Sequence, residues 1–320
     1  MKILVAGGAG YIGSVLVPKL LRRGYDVTVV DLFWFENHLP ESVNIIRQDI
    51  MTLSESDLTD YDQVIFMGGL SNDPMAEYSP AKNFISNASA PAFLAYIAKR
   101  AGVKRFIYAC SCSVYGYTVN ELYDETSPAV SNYPYGISKL QGEQAVLQMV
   151  DDDFSAISLR QGTVCGYSAR MRLDLVVNTM FKSALVQKEI TVNNPAIWRP
   201  ILSVQDAASA YIRSIEAHES ISGIFNVASG NYTVGELGDI VQQKIKEKLD
   251  MDIKLNVHHI QDYRNYKVSI AKAEKVLSYK PRHDVEAIVD ELVEQREKFK
   301  DFDNPNYYNI QVFKNMDGAA

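Results

Sequence analysis

The chain has 320 residues, enough for one large domain or two unequal ones with a substantial core. An apolar fraction of 47% with 22% charged residues fits a globular enzyme. A formal charge of −7 argues against a nucleic-acid binder, because phosphate backbones call for a basic face.

No apolar stretch reaches the ~18–20 residues of a membrane span, and the first apolar run is too short for a signal-peptide core. Cys110, Cys112 and Cys165 are too few and too scattered for a disulfide framework, so a cytoplasmic location is expected. Cys110-Ser111-Cys112 has no matching cysteine pair and His258-His259 lacks a ligand cluster, so no metal is expected.

In chain order, Lys2–Ala6, Val27–Val30, Val43–Arg47, Val64–Met67, Arg105–Ala109 and Ala156–Arg160 read as buried strands. Helical patterns fall near Tyr11–Arg23, Ala81–Ala101 and Pro134–Val150. Strands apolar on both faces and separated by helices imply a parallel sheet covered on both sides. The fold class is α/β, a doubly wound (Rossmann) sheet with its ligand crevice at the strands' carboxyl ends. After Gly166 the rhythm loosens into helices at Arg172–Gln187, Gln205–Ala217 and Thr233 to about Leu249, with a strand-like Ile224–Ala228. Further pieces follow at Ile253–Val257, Ile270–Leu277 and Val285–Phe299.

This divides the chain into a dinucleotide-binding domain, 1–164, to which parts of 195–228 return, and a smaller discontinuous α+β substrate domain from 165–194 and 229–299. Residues 300–320 form a C-terminal tail whose Tyr307, Tyr308 and Phe313 are expected to pack on the body.

The first strand runs into Gly7-Gly8-Ala9-Gly10-Tyr11-Ile12-Gly13 and then a helix. Glycines there permit a tight turn and close backbone approach to a pyrophosphate resting on the helix N-terminus. Asp31 closes the second strand 18 residues after Gly13. Its carboxylate suits a ribose diol and repels a 2′-phosphate, and no Arg or Lys follows in Asp31-Leu32-Phe33-Trp34, which favours NAD over NADP. Downstream, Tyr135 and Lys139 lie four apart on one helix face. At ~4 Å and an effective dielectric of about 20, an ammonium attracts a phenolate by roughly 4 kcal/mol. Set against desolvation, that attraction is expected to bring the phenol toward neutrality, where it can exchange a proton with a sugar hydroxyl. Ser111, just past the fifth strand, falls on the same crevice edge.

From Met1 to about Glu294 these motifs resemble the extended short-chain dehydrogenases/reductases that act on nucleotide-sugars, the group containing UDP-glucose 4-epimerase and GDP-heptose oxidoreductases. The resemblance rests on Ala6 through Gly13, Asp31, Asp49-Ile50, Gly102 through Ser111, Val114-Tyr115-Gly116, Tyr135-x-x-x-Lys139, and Trp198-Arg199-Pro200 through Asp206. It implies Tyr135 as general acid/base, Lys139 as its partner on the nicotinamide ribose, and Ser111 as the hydroxyl that binds the reacting oxygen. It implies an NAD site from Gly7, Gly10, Tyr11, Ile12 and Gly13, with Asp31 and Leu32 near the ribose and Asp49 and Ile50 near the adenine. Met67, Gly68, Gly69 and Leu70 match the segment that lines the cofactor after the fourth strand. Cys112, Ser113, Thr163, Arg172 and Asn178 fall at substrate positions, and Arg199 and Arg264 match those that grip a diphosphate.

Dehydratases of this family carry Asp-Glu after the Ser/Thr, where this chain has Cys112-Ser113, so dehydration is not expected. Thr163 stands where the family usually has Asn, and Met67-Gly68-Gly69 replaces a common Leu-Ala-Ala. The leading expectation is an NAD-dependent nucleotide-sugar 4-epimerase or 4-oxidoreductase with a nucleotide-diphosphate sugar substrate, working as a homodimer. The alternatives are an NDP-4-keto-6-deoxysugar 4-reductase and a non-catalytic NAD(H)-binding regulator.

Overall fold

The computed structural model describes residues 1–260 and 265–318, with 117–120 described by their backbone alone. Seven strands form its central sheet: β1 Lys2–Ala6, β2 Asp26–Asp31, β3 Asn44–Arg47, β4 Gln63–Phe66, β5 Arg105–Ser111, β6 Ser155–Gln161 and β7 Gly223–Val227. All neighbours run parallel, in the spatial order β7-β6-β5-β4-β1-β2-β3. The chain winds outward from β1 to β3, then returns to β4 and winds the other way. The break between β1 and β4 is the topological switch point, where such sheets bind ligands at the strands' carboxyl ends.

Strand periodicity sends alternate side chains to opposite faces. Ile3, Val5, Ile65 and Ile107 join one core, covered by α1 (Gly13–Arg22) and by the helix Val204–Glu216. Leu4, Ala6, Val64, Phe66 and Phe106 join the other, under the helices Ala90–Arg100 and Pro134–Leu147. Burial on both faces is what the unbroken apolar strands require; β3, expected to be buried, is instead an edge strand and mostly exposed along Asn44–Arg47. The buried, free Cys110 and Cys112 belong to this second core.

Past β6 the chain builds a third core from Val177 and Phe181, Val241 and Ile245, and Ile288 and Leu292. These come from the helices Val176–Gln187, Val234–Leu249 and Val285–Gln295. Two small sheets border it: Thr163–Cys165 with Trp198–Ser203 and Gly230–Thr233, and Glu189–Asn193 with Lys254–His258. Several of these short strands have no sequence counterpart in the expected elements, nor does Tyr117–Tyr123, which pairs with Asn265–Val268. Among the described residues no helix is long and apolar enough to cross a membrane.

Candidate active site

At the switch point Gly7 has φ +81°, a conformation that favours glycine, and a Cβ there would stand 2.4 Å from the Gly68 Cα. Gly13 is equally constrained: its Cβ would meet the Gly8 carbonyl oxygen at 2.1 Å. Gly10 differs, because its nearest neighbour would be the Gly7 oxygen at 3.4 Å. Packing thus demands glycine at 7 and 13, whereas Gly10 leaves an open cradle above the start of α1. A cradle that a Cβ would fill, at a helix N-terminus, fits a dinucleotide's diphosphate.

A cavity of about 940 Å³ extends from this loop across the carboxyl edge of the sheet. It is near the top of the ~300–1,000 Å³ range usual for ligand pockets. Gly7, Gly10, Tyr11, Ile12 and Gly13 line one end, with Asp31 and Leu32 from the end of β2. Asp49 and Ile50 line it from the short turn after β3, and Met67, Gly68, Gly69 and Leu70 from the segment after β4. Asp31 accepts hydrogen bonds from the Ala9 N–H at 2.9 Å and the Phe33 N–H at 2.8 Å. Burial raises its carboxyl above the usual range, and those hydrogen bonds pull it partly back.

Gly69, at φ +115°, has a structural cause of its own: a Cβ would stand 2.1 Å from the Asn87 side-chain oxygen. Asn87 sits in a π-helical turn, Ile85–Ser89, and its amide donates to the Leu70 carbonyl at 2.9 Å. The Asn87 carbonyl, within that turn, accepts the Tyr108 hydroxyl at 2.9 Å. π-Turns often mark functional sites, and the helical pattern over 81–101 does not reveal this one.

Ser111, Ser113, Tyr135 and Lys139 meet in the same cavity. Pro134 opens the helix Pro134–Leu147 and so sets Tyr135 in its first turn. Lys139 is 5% exposed, donates to the Ala109 carbonyl at 3.1 Å, and lies 5.9 Å from the Tyr135 ring centroid. The expected lowering of the phenol is not found. Burial, followed by the Asp73 carboxylate and Cys110, pushes Tyr135 above its ordinary value, against a hydrogen bond to Ser111 and the charge of Arg172. Tyr135 keeps some surface exposure, yet the cleft walls crowd it closely enough for desolvation to win. Burial pushes Lys139 itself down to about 8. The ammonium is turned toward a backbone carbonyl, which weakens its hold on the phenol.

Thr163, Arg172 and Arg199 line the rest of the cavity. Arg172 is buried and bidentate on Asp174, at 2.8 and 3.0 Å. Arg199 donates to the Trp198 carbonyl at 3.0 Å, with its guanidinium 5.7 Å from the Tyr266 ring centroid. Two sequence candidates are not brought to the cavity. Cys112 is fully buried, with its thiol on the Arg160 carbonyl at 3.1 Å. Asn178 is fully buried too, accepting from the Gly166 N–H at 3.0 Å and donating to the Tyr11 hydroxyl at 3.1 Å and the Arg172 carbonyl at 2.8 Å. Both lie behind the wall, where they fix the loops that form it. Arg264 lies outside the described residues.

The sequence reading missed a set of lining residues: Asp73, Phe35, Arg170, Asn309 and Phe313. None belongs to a spacing motif, and the last two come from the C-terminal tail.

Comparison with known proteins gives the same picture. The model of the "NAD dependent epimerase/dehydratase family" matches residues 3–228. A UDP-glucose 4-epimerase of Erwinia amylovora is 28% identical over 298 residues, 79% of this chain and 88% of that protein. UDP-glucuronic acid decarboxylase 6 of Arabidopsis thaliana is 27% identical over 300 residues, 88% of this chain and 84% of that protein. Among solved structures, MoeE5 in complex with UDP-glucose and NAD superposes with a TM-score of 0.82 at 25% identity, covering 93% of this chain and 99% of that one. The chain belongs to the NAD dependent epimerase/dehydratase family, extended short-chain dehydrogenases/reductases that modify nucleotide-sugars, and its cofactor is NAD.

Proposed function

We propose that this chain is an NAD-dependent nucleotide-sugar 4-epimerase or 4-oxidoreductase. Tyr135 takes the proton of the sugar C4 hydroxyl, Ser111 aligns that hydroxyl, and Lys139 anchors the nicotinamide ribose. NAD, when bound, supplies the acceptor for the C4 hydrogen as hydride. With NAD held there, the site would support either return of that hydride to the opposite face of the 4-keto sugar or release of the ketone. Arg199 grips the substrate diphosphate, with Arg172, Ser113 and Thr163 at the other substrate positions. The observation that carries this reading is the meeting of Ser111, Tyr135 and Lys139 in one cavity with the glycine cradle.

Two features support oxidation at C4 over dehydration: the positions after Ser111 carry no carboxylate, and Cys112 is sealed in the core with a thiol that burial pushes up. We further propose a cytoplasmic homodimer paired through the helical segments 84–100 and 134–150, where Ile85 and Tyr96 are about half exposed.

The test is to release and identify any co-purified nucleotide, then follow candidate UDP- and GDP-sugars by NMR. Catalytic conversion without added NADH supports an epimerase. Stoichiometric NADH formation supports a dehydrogenase, and NADH consumption with a 4-keto sugar supports the reductase. NAD binding with no conversion of any sugar would leave the regulator reading.

A further inference from the structure

We propose that the C-terminal segment 304–317 is a strap across the dinucleotide crevice, and that its opening governs the exchange of NAD. The segment leaves the third core at a short turn, Pro305–Tyr307, and forms the helix Asn309–Met316. Asn309, Phe313, Met316 and Asp317 line the same cavity as the glycine loop.

The strap touches both walls of the switch point. Phe313, 1% exposed, clusters with Leu70 and Met75, which follow β4, and with Trp34, which follows β2. Its ring lies 5.8 Å from that of Trp34 and 5.8 Å edge-on from that of Tyr78. Polar ties repeat the pattern. Asn306 donates to Glu36 at 2.8 Å on the β2 side, and Asn309 donates to Ser71 at 2.7 Å on the β4 side. Lys82 closes the far end on Asp317. An NAD molecule reaching from Asp31 to Tyr135 through this cavity would pass the strap residues that line it.

Arg170 joins the strap to the cradle. It is 2% exposed, its guanidinium stacks 3.7 Å from the Phe35 ring centroid, and it donates to the Asn309 side-chain oxygen and the Met171 carbonyl. Among the described residues its Nε has no hydrogen-bond partner. Among the described residues its hydrogen bonds go to an amide and a carbonyl, not a carboxylate. Burial and the neighbouring Arg172 charge disfavour this guanidinium, and Asp174 and the more weakly coupled Asp31 offset that without a hydrogen bond to it, so an anion in the cavity it lines is favoured, and the coenzyme diphosphate is that anion. NAD and a closed strap therefore stabilise each other, and the coupling is reciprocal. A small apolar cluster, the exposed pairs at its two ends and the side-chain bonds of Asn309 hold the strap, few enough contacts for it to open as a local unit.

The experiment measures NADH association and release by stopped-flow fluorescence in the full chain, in a chain ending at Tyr308, and in Phe313→Ala. Release is expected to quicken about tenfold or more in both variants, with association no slower. Arg170→Met is expected to weaken NADH binding about tenfold while a circular dichroism melt still shows a folded chain. Release within about twofold of the full chain in Phe313→Ala, or an affinity loss carried by slower association, overturns the strap. If the shortened chain does not fold, Phe313→Ala alone decides between these outcomes. A full-length chain that binds no NADH overturns the cofactor assignment along with the strap, whereas tight binding with strap-independent release overturns the strap alone.

Discussion

Gly7 and Gly68 face each other across the split between β1 and β4 so closely that a methyl group on Gly7 would stand 2.4 Å from the Gly68 Cα. The two glycines let the ends of two strands converge beneath the coenzyme, so the glycine loop serves the fold as well as the ligand. Gly10, three residues on, has no such neighbour.

Gly7→Ala is therefore expected to destabilise the free protein by roughly 2–5 kcal/mol through strain and overpacking. Gly10→Ala is expected to leave its melting temperature unchanged and to raise the NADH Kd about tenfold or more. Urea unfolding and fluorescence titration of both variants separate the two roles. Equal loss of stability in both would refute the distinction.

Tyr135→Phe is expected to lower kcat by about 100- to 10,000-fold, the range for removal of a general acid/base. NADH affinity should change little, because the ring remains in the cavity wall. A variant that keeps more than about a tenth of the activity would require another residue as the acid/base.

A lysine whose pKa falls from 10.5 to about 8 on folding binds fewer protons in the native state than in the unfolded one between those values. Its buried charge therefore opposes folding in full below pH 8, and the opposition fades as pH rises toward 10.5. Lys139→Met is expected to stabilise the NAD-free protein by roughly 2 kcal/mol at pH 7, after about 1 kcal/mol lost with the Ala109 hydrogen bond. The advantage should shrink by pH 10. Urea unfolding across that range checks the sign, and an advantage that grows with pH would contradict it.

Glu143, on the helix that carries Tyr135 and Lys139, forms a buried pair with Arg160 of β6 at 2.6 Å, and Ser158 donates to the same carboxylate at 2.8 Å. Arg160→Met strands a buried carboxylate and is expected to cost about 3–5 kcal/mol. Replacing both, as Arg160→Met with Glu143→Leu, should recover most of that loss, less the unpaired Ser158 hydroxyl. If the double variant proves as unstable as the single one, the pair acts through packing rather than charge.

The sheet was legible because most of its strands are apolar on both faces, and Gly13 because its contact with Gly8 is local; the reason for Gly7 lies 61 residues away, at Gly68. Tyr135 and Lys139 were legible because helical spacing alone puts them on one face. The direction of the Tyr135 shift was not. It depends first on how tightly the cleft closes around the ring, and then on Asp73, 62 residues upstream. Cys112 and Asn178 illustrate the same limit: adjacency to a motif says that a residue is near the site, whereas backbone direction decides whether it faces ligand or core. The roles of Phe313 and Asn309 were hidden for a simpler reason, since a tail without periodicity gives no sign of the distant groove it fills.

Burial leaves the three thiols at 2% exposure or less and pushes each above its ordinary pKa, so little reactive thiolate exists while the chain is folded. An alkylating reagent must wait for the middle of the molecule to come apart. The pace of cysteine labelling thus becomes a clock for global opening, readable without any nucleotide or sugar in the tube.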